Sequence, residues 1–426
     1  NEVVDLLDNT NMEAVLRDFG DRNQKEDPVM HFFEGFLQEY DNKIRKDRGV
    51  FYTPQPVVSF IVRSVDEQLR IEYGLEDGLA DITTWGEMLQ RITDLKIPEG
   101  VSTNQAFVQI LDPATGTGTF PVEVIDLIHK TMTAKWLAQG NREPQVKELW
   151  NDYVPKHLLP RLHGYELMMA PYAIAHMKVG LKLHETGYLF ESNERVSIYL
   201  TNALEPAQDF SENFAFVVPA LARESTAVNA IKLKQRFTVV IGNPPYSGFS
   251  SNNGPWIKSL LAGQLSNGNL SDNYYTVDGV PMNERKLWLQ DDYVKFIRAS
   301  QFHIEQSKVG ILGFVTNHGY LENPTFRGMR WAMLRFFDHI SVVDLHGNAK
   351  KSLVSPSGDK DENVFDIQQG VCIGFFNAKV AEGGSFVAAK VYHFDLWGSR
   401  RDKFQWLTKN THSSRALSRV RSAEPL

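Results

Sequence analysis

The 426-residue sequence predicts an α/β fold with a doubly wound, mostly parallel sheet, and three observations predict it. From about residue 106 onward, short apolar runs alternate with helical segments, the pattern that strands and crossover helices produce. The runs are FVQILD, LHGYEL, VSIYLTNAL, FTVVIGN, VGILGFVT, ISVVDLHG and GVCIGFF, each short enough for a buried strand. The last three, with strands expected at Gly310 to Thr316, Ser341 to Gly347 and Gly370 to Phe376, lie close together as the final strands of such a sheet would.

Ahead of the sheet, MHFFEGFLQEYDNKIRKDRG places Phe32, Phe33, Phe36, Leu37, Tyr40 and Ile44 on one helical face and ends in charge and Gly49. Residues 1–48 are therefore expected to form an N-terminal helical section. In VFYTPQPVVSFIVRSVDEQL, Thr53 is expected to cap a helix with Pro54 in its first turn. Val57, Val58, Phe60, Ile61, Val65 and Leu69 give that helix a core-facing stripe. Residues 49–395 read as one domain, with an inserted helical stretch from Thr133 to Leu159. The Ser-, Asn- and Gly-rich stretch from Ser247 to Tyr275 is expected to be a mobile loop over the site, and VSPSGDKDEN a second exposed loop.

Composition narrows the function classes. No apolar run reaches the length of a membrane span, and the single cysteine, Cys372, excludes disulfides and Cys-based zinc sites within the chain. Both point to the cytoplasm. The chain opens on Asn1 without an apolar leader, as expected of a processed chain or a piece of a longer one. The net charge of -7 argues against a uniformly basic nucleic-acid binder, but the charge is uneven. Residues 1–30 carry eight acids and three bases, whereas 396–426 carry seven bases and two acids, which reads as a basic linker.

In doubly wound sheets ligands bind where strands end, so the residues after each run are the informative ones. The first run leads into LDPATGTGTF. Asp112 ends the strand, and Gly116 and Gly118 let the backbone pass close to a ligand. The turn lacks the dinucleotide spacing and the Lys-Ser/Thr of a phosphate loop, so it suits a nucleoside with an amino-acid tail. The second run offers Glu166 for ribose hydroxyls, and the third offers Asn202, whose amide can bond an adenine edge. The fourth ends in Asn243-Pro244-Pro245-Tyr246, a tetrapeptide expected by chance in only about one such chain in several hundred. Its prolines hold the turn rigid. The Asn243 side-chain oxygen and the Pro244 carbonyl can both aim at one amino group, and Tyr246 supplies an exposed face for a flat base. Two acceptors pulling on an exocyclic amine localise its delocalised lone pair and make it nucleophilic.

FYTP (Phe51 to Pro54), DPATGTGTF (Asp112 to Phe120), GYE (Gly164 to Glu166), TNAL and GNPPY occur in the order of γ-class DNA adenine-N6 methyltransferases, and the chain resembles that family from about residue 49 to 379. The resemblance implies a Rossmann-like class I methyltransferase using S-adenosylmethionine. It implies adenine-amine binding by Asn243 and Pro244 and stacking of the flipped adenine on Tyr246. Tyr52, Thr53, Asp112, Ala114, Thr115, Gly116, Gly118, Phe120, Glu166, Asn202 and Ala203 would hold the cofactor. Phe326 would be the second wall of the base pocket, with Arg327 and Arg330 meeting phosphates. Two positions depart from the family pattern, Asn202 and Thr238, where Asp is common. The helical N-terminal section and the insertion resemble the methyltransferase part of restriction-modification enzymes of type I, type ISP or type IIG. That implies double-stranded DNA as partner, with a target-recognition domain and any nuclease or helicase outside this chain. The rival readings are methylation of a protein glutamine amide or an RNA base, and a catalytically silent DNA-binding module.

Overall fold

All seven apolar runs become strands of one sheet. The computed structural model describes residues 52–190, 195–207, 219–246, 250, 252–264, 273–282, 287–348, 355–356, 358–379, 388–413 and 418–420. The helical section expected at 1–48 lies outside the described residues.

The strands are β1 (Ile110–Asp112), β2 (Leu162–Glu166), β3 (Ser197–Leu200), β4 (Val239–Gly242), a small hairpin β5 (Thr276–Val277) and β6 (Val280–Pro281), then β7 (Gly310–Asn317), β8 (His339–His346), β9 (Val371–Ala378), β10 (Lys390–Asp395) and β11 (Ser418–Val420). The main sheet runs β11-β10-β8-β9-β7-β4-β1-β2-β3. Its pairs are parallel except where β9 meets β7 and β8 and where β11 meets β10. The mostly parallel, doubly wound sheet is as expected.

The helices are α1 (Gln55–Tyr73), α2 (Trp85–Arg91), α3 (Thr119–Ala138), α4 (Glu143–Tyr153), α5 (Met169–Glu185), α6 (Pro219–Lys234), α7 (Pro255–Leu261), α8 (Asp292–Ser307), α9 (Arg327–Phe336) and α10 (Arg400–Lys409). The predicted stripe of α1 is buried from Val57 to Leu69. It packs over β7, where Gly313 admits Val65 and Ile61. Thr53 is not the N-cap of α1. Pro54 takes that position, and its carbonyl accepts from Val57 N at 2.9 Å, which leaves the Thr53 hydroxyl for another partner. Among the described residues no helix is long and apolar enough to cross a membrane.

Two expectations need correction. The basic segment after residue 395 is not simply a linker. It contributes β11 to the sheet edge and α10, which lies on α1 with Phe60 and Trp406 rings 5.7 Å apart and Arg63 Nη2 donating to the Leu407 carbonyl at 2.7 Å. Lys403 is buried, ion-paired to buried Asp361 at 2.6 Å, so one of the seven bases belongs to the interior. The described residues between Ser247 and Tyr275 are not a plain mobile loop either. They include α7, and α8 holds them down: Lys295 Nζ donates to Ser250 Oγ at 2.8 Å and Arg298 Nε to the Leu260 carbonyl at 3.0 Å. Tyr274 Oη donates to Gln301 Oε1 at 2.8 Å. A helix buried nearly all round, as α8 is, can supply such donors only if each finds an acceptor.

Candidate active site

The chain reverses its direction of travel across the sheet at β1, whose neighbours are β2 and β4, so the crevice beyond β1 and β4 is the expected ligand site. Asp112 ends β1 and Asn243 follows β4, which places the Gly-rich turn and the Asn-Pro-Pro-Tyr turn side by side. Gly242 makes the approach possible, since a Cβ there would lie 2.8 Å from Asp112 Oδ1.

The Gly-rich turn is built by its own hydrogen bonds. Ala114 N donates to Asp112 Oδ1 at 3.1 Å, Thr115 Oγ1 to the Asp112 carbonyl at 3.0 Å, and Thr115 N to the Tyr165 carbonyl at 3.0 Å. Gly116 and Gly118 have φ of 55° and 83°, the left-handed region that glycine enters without steric cost. Gly118 also lies against α5, where a Cβ would stand 3.1 Å from Ala175 Cα. Glu166 braces the turn from β2: its carboxylate accepts from Gly116 N at 2.9 Å and Met168 N at 2.7 Å. An ionised carboxylate has about four acceptor sites, so one that holds backbone N–H groups can also take ligand hydroxyls. Gly164 on the same strand is a site residue that motif reading passed over. A Cβ there would stand 2.4 Å from Thr115 Oγ1, and a glycine two residues before a strand-end acid was the available signal.

Asp112 is buried, and its Oδ2 has no hydrogen-bond partner among the described residues. Burial, reinforced by the charge of Glu166 and opposed by the Ala114 N–H, pushes its carboxyl from the ordinary 3.8 up to about 8. The folded chain thus keeps a proton that the unfolded chain has released, and this group's contribution to stability falls as pH rises from about 4 to about 8. Asp112→Asn removes that dependence. Denaturant midpoints at pH 6 and pH 8.5 should show wild type losing stability relative to the variant; parallel profiles would mean that Asp112 is ionised throughout.

In the Asn-Pro-Pro-Tyr turn, Asn243 Nδ2 donates to Thr53 Oγ1 at 2.9 Å. This is the partner freed by the helix start at Pro54, and it anchors the amide. Tyr246 is not exposed as the sequence suggested: it is 2% accessible, with Cys372 of β9 nearby. Phe326, in the turn before α9, is buried at 3% with its ring 6.2 Å from Tyr293. Thr238 is a structural residue, donating to the Phe107 carbonyl at 2.6 Å and accepting from Gln109 N at 3.0 Å.

The remaining expected residues are placed as follows. Tyr52 and Ala114 are half-buried, and Phe120 and Ala203 are buried. Pro244 is buried within its turn. Asn202 follows β3, but its amide is engaged locally, donating to Glu205 at 3.1 Å and Asn252 at 3.2 Å and accepting from Leu204 N at 3.0 Å. Arg330 is turned to protein carbonyls, those of Tyr320 at 2.8 Å and Asn323 at 2.9 Å, whereas Arg327 is exposed.

Comparison with known proteins points to the same kind of enzyme as the motifs do. Residues 165–350 match the Eco57I restriction-modification methylase family and residues 24–73 match the N-6 DNA methylase family. Among curated proteins none matches the chain. The cryo-EM structure of the DrdV–DNA complex is similar at 26% identity and a TM-score of 0.63, over 91% of this chain and 32% of that chain. The ATP-dependent type ISP restriction-modification enzyme LlaBIII bound to DNA is similar in fold at 22% identity and a TM-score of 0.67, over 95% of this chain and 24% of that one. A nuclease-deletion mutant of the type ISP enzyme LlaGI with a DNA substrate mimic has a TM-score of 0.65 at 20% identity, over 95% of this chain and 29% of that one. The chain thus spans about a third or less of the length of these proteins.

Proposed function

We propose that this chain, a member of the restriction-modification N-6 DNA methylases, transfers a methyl group from S-adenosylmethionine to the N6 amine of an adenine flipped out of double-stranded DNA. The observation that carries the reading is the juxtaposition of Asn243, tethered through Nδ2 to Thr53, with the Gly-rich turn braced by Glu166. The parent enzyme would be a cytoplasmic restriction-modification protein whose target-recognition domain, and any nuclease or helicase, lie outside residues 1–426.

The residues present fit the cofactor. At Gly116 even an added Cβ would meet nothing nearer than 4.0 Å, so the backbone there can come close to a ligand, and the buried Asp112 Oδ2 has no partner among the described residues and is open to a ligand hydrogen bond. Glu166 would take the ribose hydroxyls, while Tyr52, Thr53, Ala114, Thr115, Gly118, Phe120 and Ala203 surround the remainder. Bound there, the cofactor supplies an electrophilic methyl group. Asn202 would reach an adenine edge only by exchanging one of its present bonds.

The chain's own residues then act on the amine. With Asn243 Nδ2 held by Thr53, its oxygen faces away from that bond and, with the Pro244 carbonyl, accepts both amine hydrogens. This draws the lone pair out of conjugation. Tyr246 and Phe326 would flank the base; flipping costs a few kcal/mol and one aromatic stack returns about 1–3, so two walls balance it better than one. Both rings are buried, so base entry requires what covers them to move.

The test is to supply labelled S-adenosylmethionine, unmethylated DNA and a protein extract to the longest parent chain and find which molecule is labelled. Label in N6-methyladenine is expected. Label in protein would move the chemistry to an amide substrate, and cofactor binding without any transfer to DNA would leave a silent DNA-binding module.

A further inference from the structure

At the carboxyl ends of β7 and β8, beside the turn that carries Phe326, lies a cavity of about 510 Å³ lined in part by Asn317, His318, Asn323 and Asp344. His318 opens the short turn after β7, and Asp344 and His346 belong to β8. His318 Nδ1 lies 3.0 and 3.2 Å from the two Asp344 oxygens, and His346 Nδ1 lies 3.5 Å from Asp344 Oδ2. One donor atom from each of the three residues falls within 4.8 Å of the others.

The backbone makes exceptions to bring these groups together. The β8 register shifts between Asp344 and His346, and His346 has a φ of 51°, a conformation that a non-glycine residue keeps only where its surroundings impose it. Trp397 stacks on the His346 ring at 3.5 Å and 13°. Gly370 leaves space for His318, since a Cβ there would stand 2.3 Å from Nε2.

The arrangement of donor atoms points to a cation. His346 Nε2 lies 2.7 Å from Asp395 Oδ1, so the ring hydrogen that makes this bond is on Nε2. That leaves His346 Nδ1 facing the Asp344 carboxylate at 3.5 Å, longer than an ordinary hydrogen bond. A carboxylate behind the far nitrogen is also how metal-bound imidazoles are held. Ligand atoms about 2.0–2.1 Å from a tetrahedral zinc ion stand about 3.3–3.4 Å apart. The separations of 3.0 to 3.5 Å bracket that spacing.

We propose that His318, Asp344 and His346 form a divalent transition-metal site of the zinc type, its open coordination position facing the cavity. Two imidazole nitrogens and a carboxylate form the ligand set that zinc or cobalt takes in sites with an open position. The site is separate from the methyl-transfer reading and does not depend on it.

The experiment uses tag-free chain stripped with a chelator and titrated with Co²⁺ as an optical probe, then with Zn²⁺ as competitor. One equivalent of Co²⁺ should give visible ligand-field absorption that Zn²⁺ displaces, and Zn²⁺ should raise the melting temperature of the wild type. His318→Gln, at a partly exposed position, should weaken Co²⁺ binding at least about tenfold while melting normally in chelator, and Asp344→Asn should do the same to binding. Absence of a stoichiometric absorption would overturn the proposal. So would Co²⁺ affinity unchanged in both variants, since the metal would then sit elsewhere.

Discussion

Asn243→Ala should lower methyl transfer to DNA by about a hundred- to a thousandfold, the scale on which one preorganised polar contact to a reacting centre acts. Cofactor affinity should stay within about threefold of wild type. The split follows from geometry: Asn243 follows β4 and is bonded to Thr53, whereas Glu166 braces the neighbouring Gly-rich turn proposed for the cofactor. Thr53→Val keeps the side-chain shape and removes the acceptor for Asn243 Nδ2. The amide is then free to turn, and kcat should fall by about tenfold, the worth of one good hydrogen bond. Single-turnover rates with saturating cofactor, beside equilibrium cofactor binding, separate the two effects. If Asn243→Ala abolished cofactor binding as thoroughly as transfer, the methyl-accepting centre would have to be sought elsewhere.

What the sequence could show was decided by burial. A strand covered on both faces, as in a parallel sheet, needs an unbroken apolar run, and all seven such runs became strands. β10 stayed invisible because Lys390 to Asp395 is an outer strand of mixed burial whose residues read as a polar mixture. The site motifs were legible because special backbone needs leave special residues: Gly116 and Gly118 at positive φ, and two prolines after Asn243. Partnership was less legible than position. Thr53 looked like a helix cap and proved to hold Asn243, and Tyr246 looked exposed but is covered, because a short aromatic motif does not reveal what packs over it.

Charge was the least legible property, and Lys403 is the sharpest case. In the sequence it is one base among seven in a polar tail; in the fold its ammonium is buried, paired with Asp361 at 2.6 Å and donating to the Leu345 carbonyl at 2.7 Å and the Glu362 carbonyl at 2.6 Å. Asp361 in turn accepts from Gly347 N at 2.7 Å and Gly398 N at 3.0 Å, tying the loop before β9 to the end of β8 and the start of α10. Lys403→Met fills the same space without the charge and strands the carboxylate, which should cost about 3–5 kcal/mol in unfolding free energy. Adding Asp361→Asn removes the stranded charge and should recover part of the loss, because replacing both members of a buried pair costs less than breaking it. Nucleic-acid binding should divide the other way. Arg401, on the same helix, is exposed, so if the proposed DNA binding uses this face Arg401→Ala should lessen the salt dependence of DNA affinity, whereas Lys403→Met should leave that slope alone at temperatures where the variant is folded. Denaturant midpoints of the two single variants and the double variant, with DNA titrations at three salt concentrations, decide it. An unchanged midpoint for Lys403→Met would mean that Lys403 lies in solvent, and α10 would then return to being the exposed basic segment that its composition suggests.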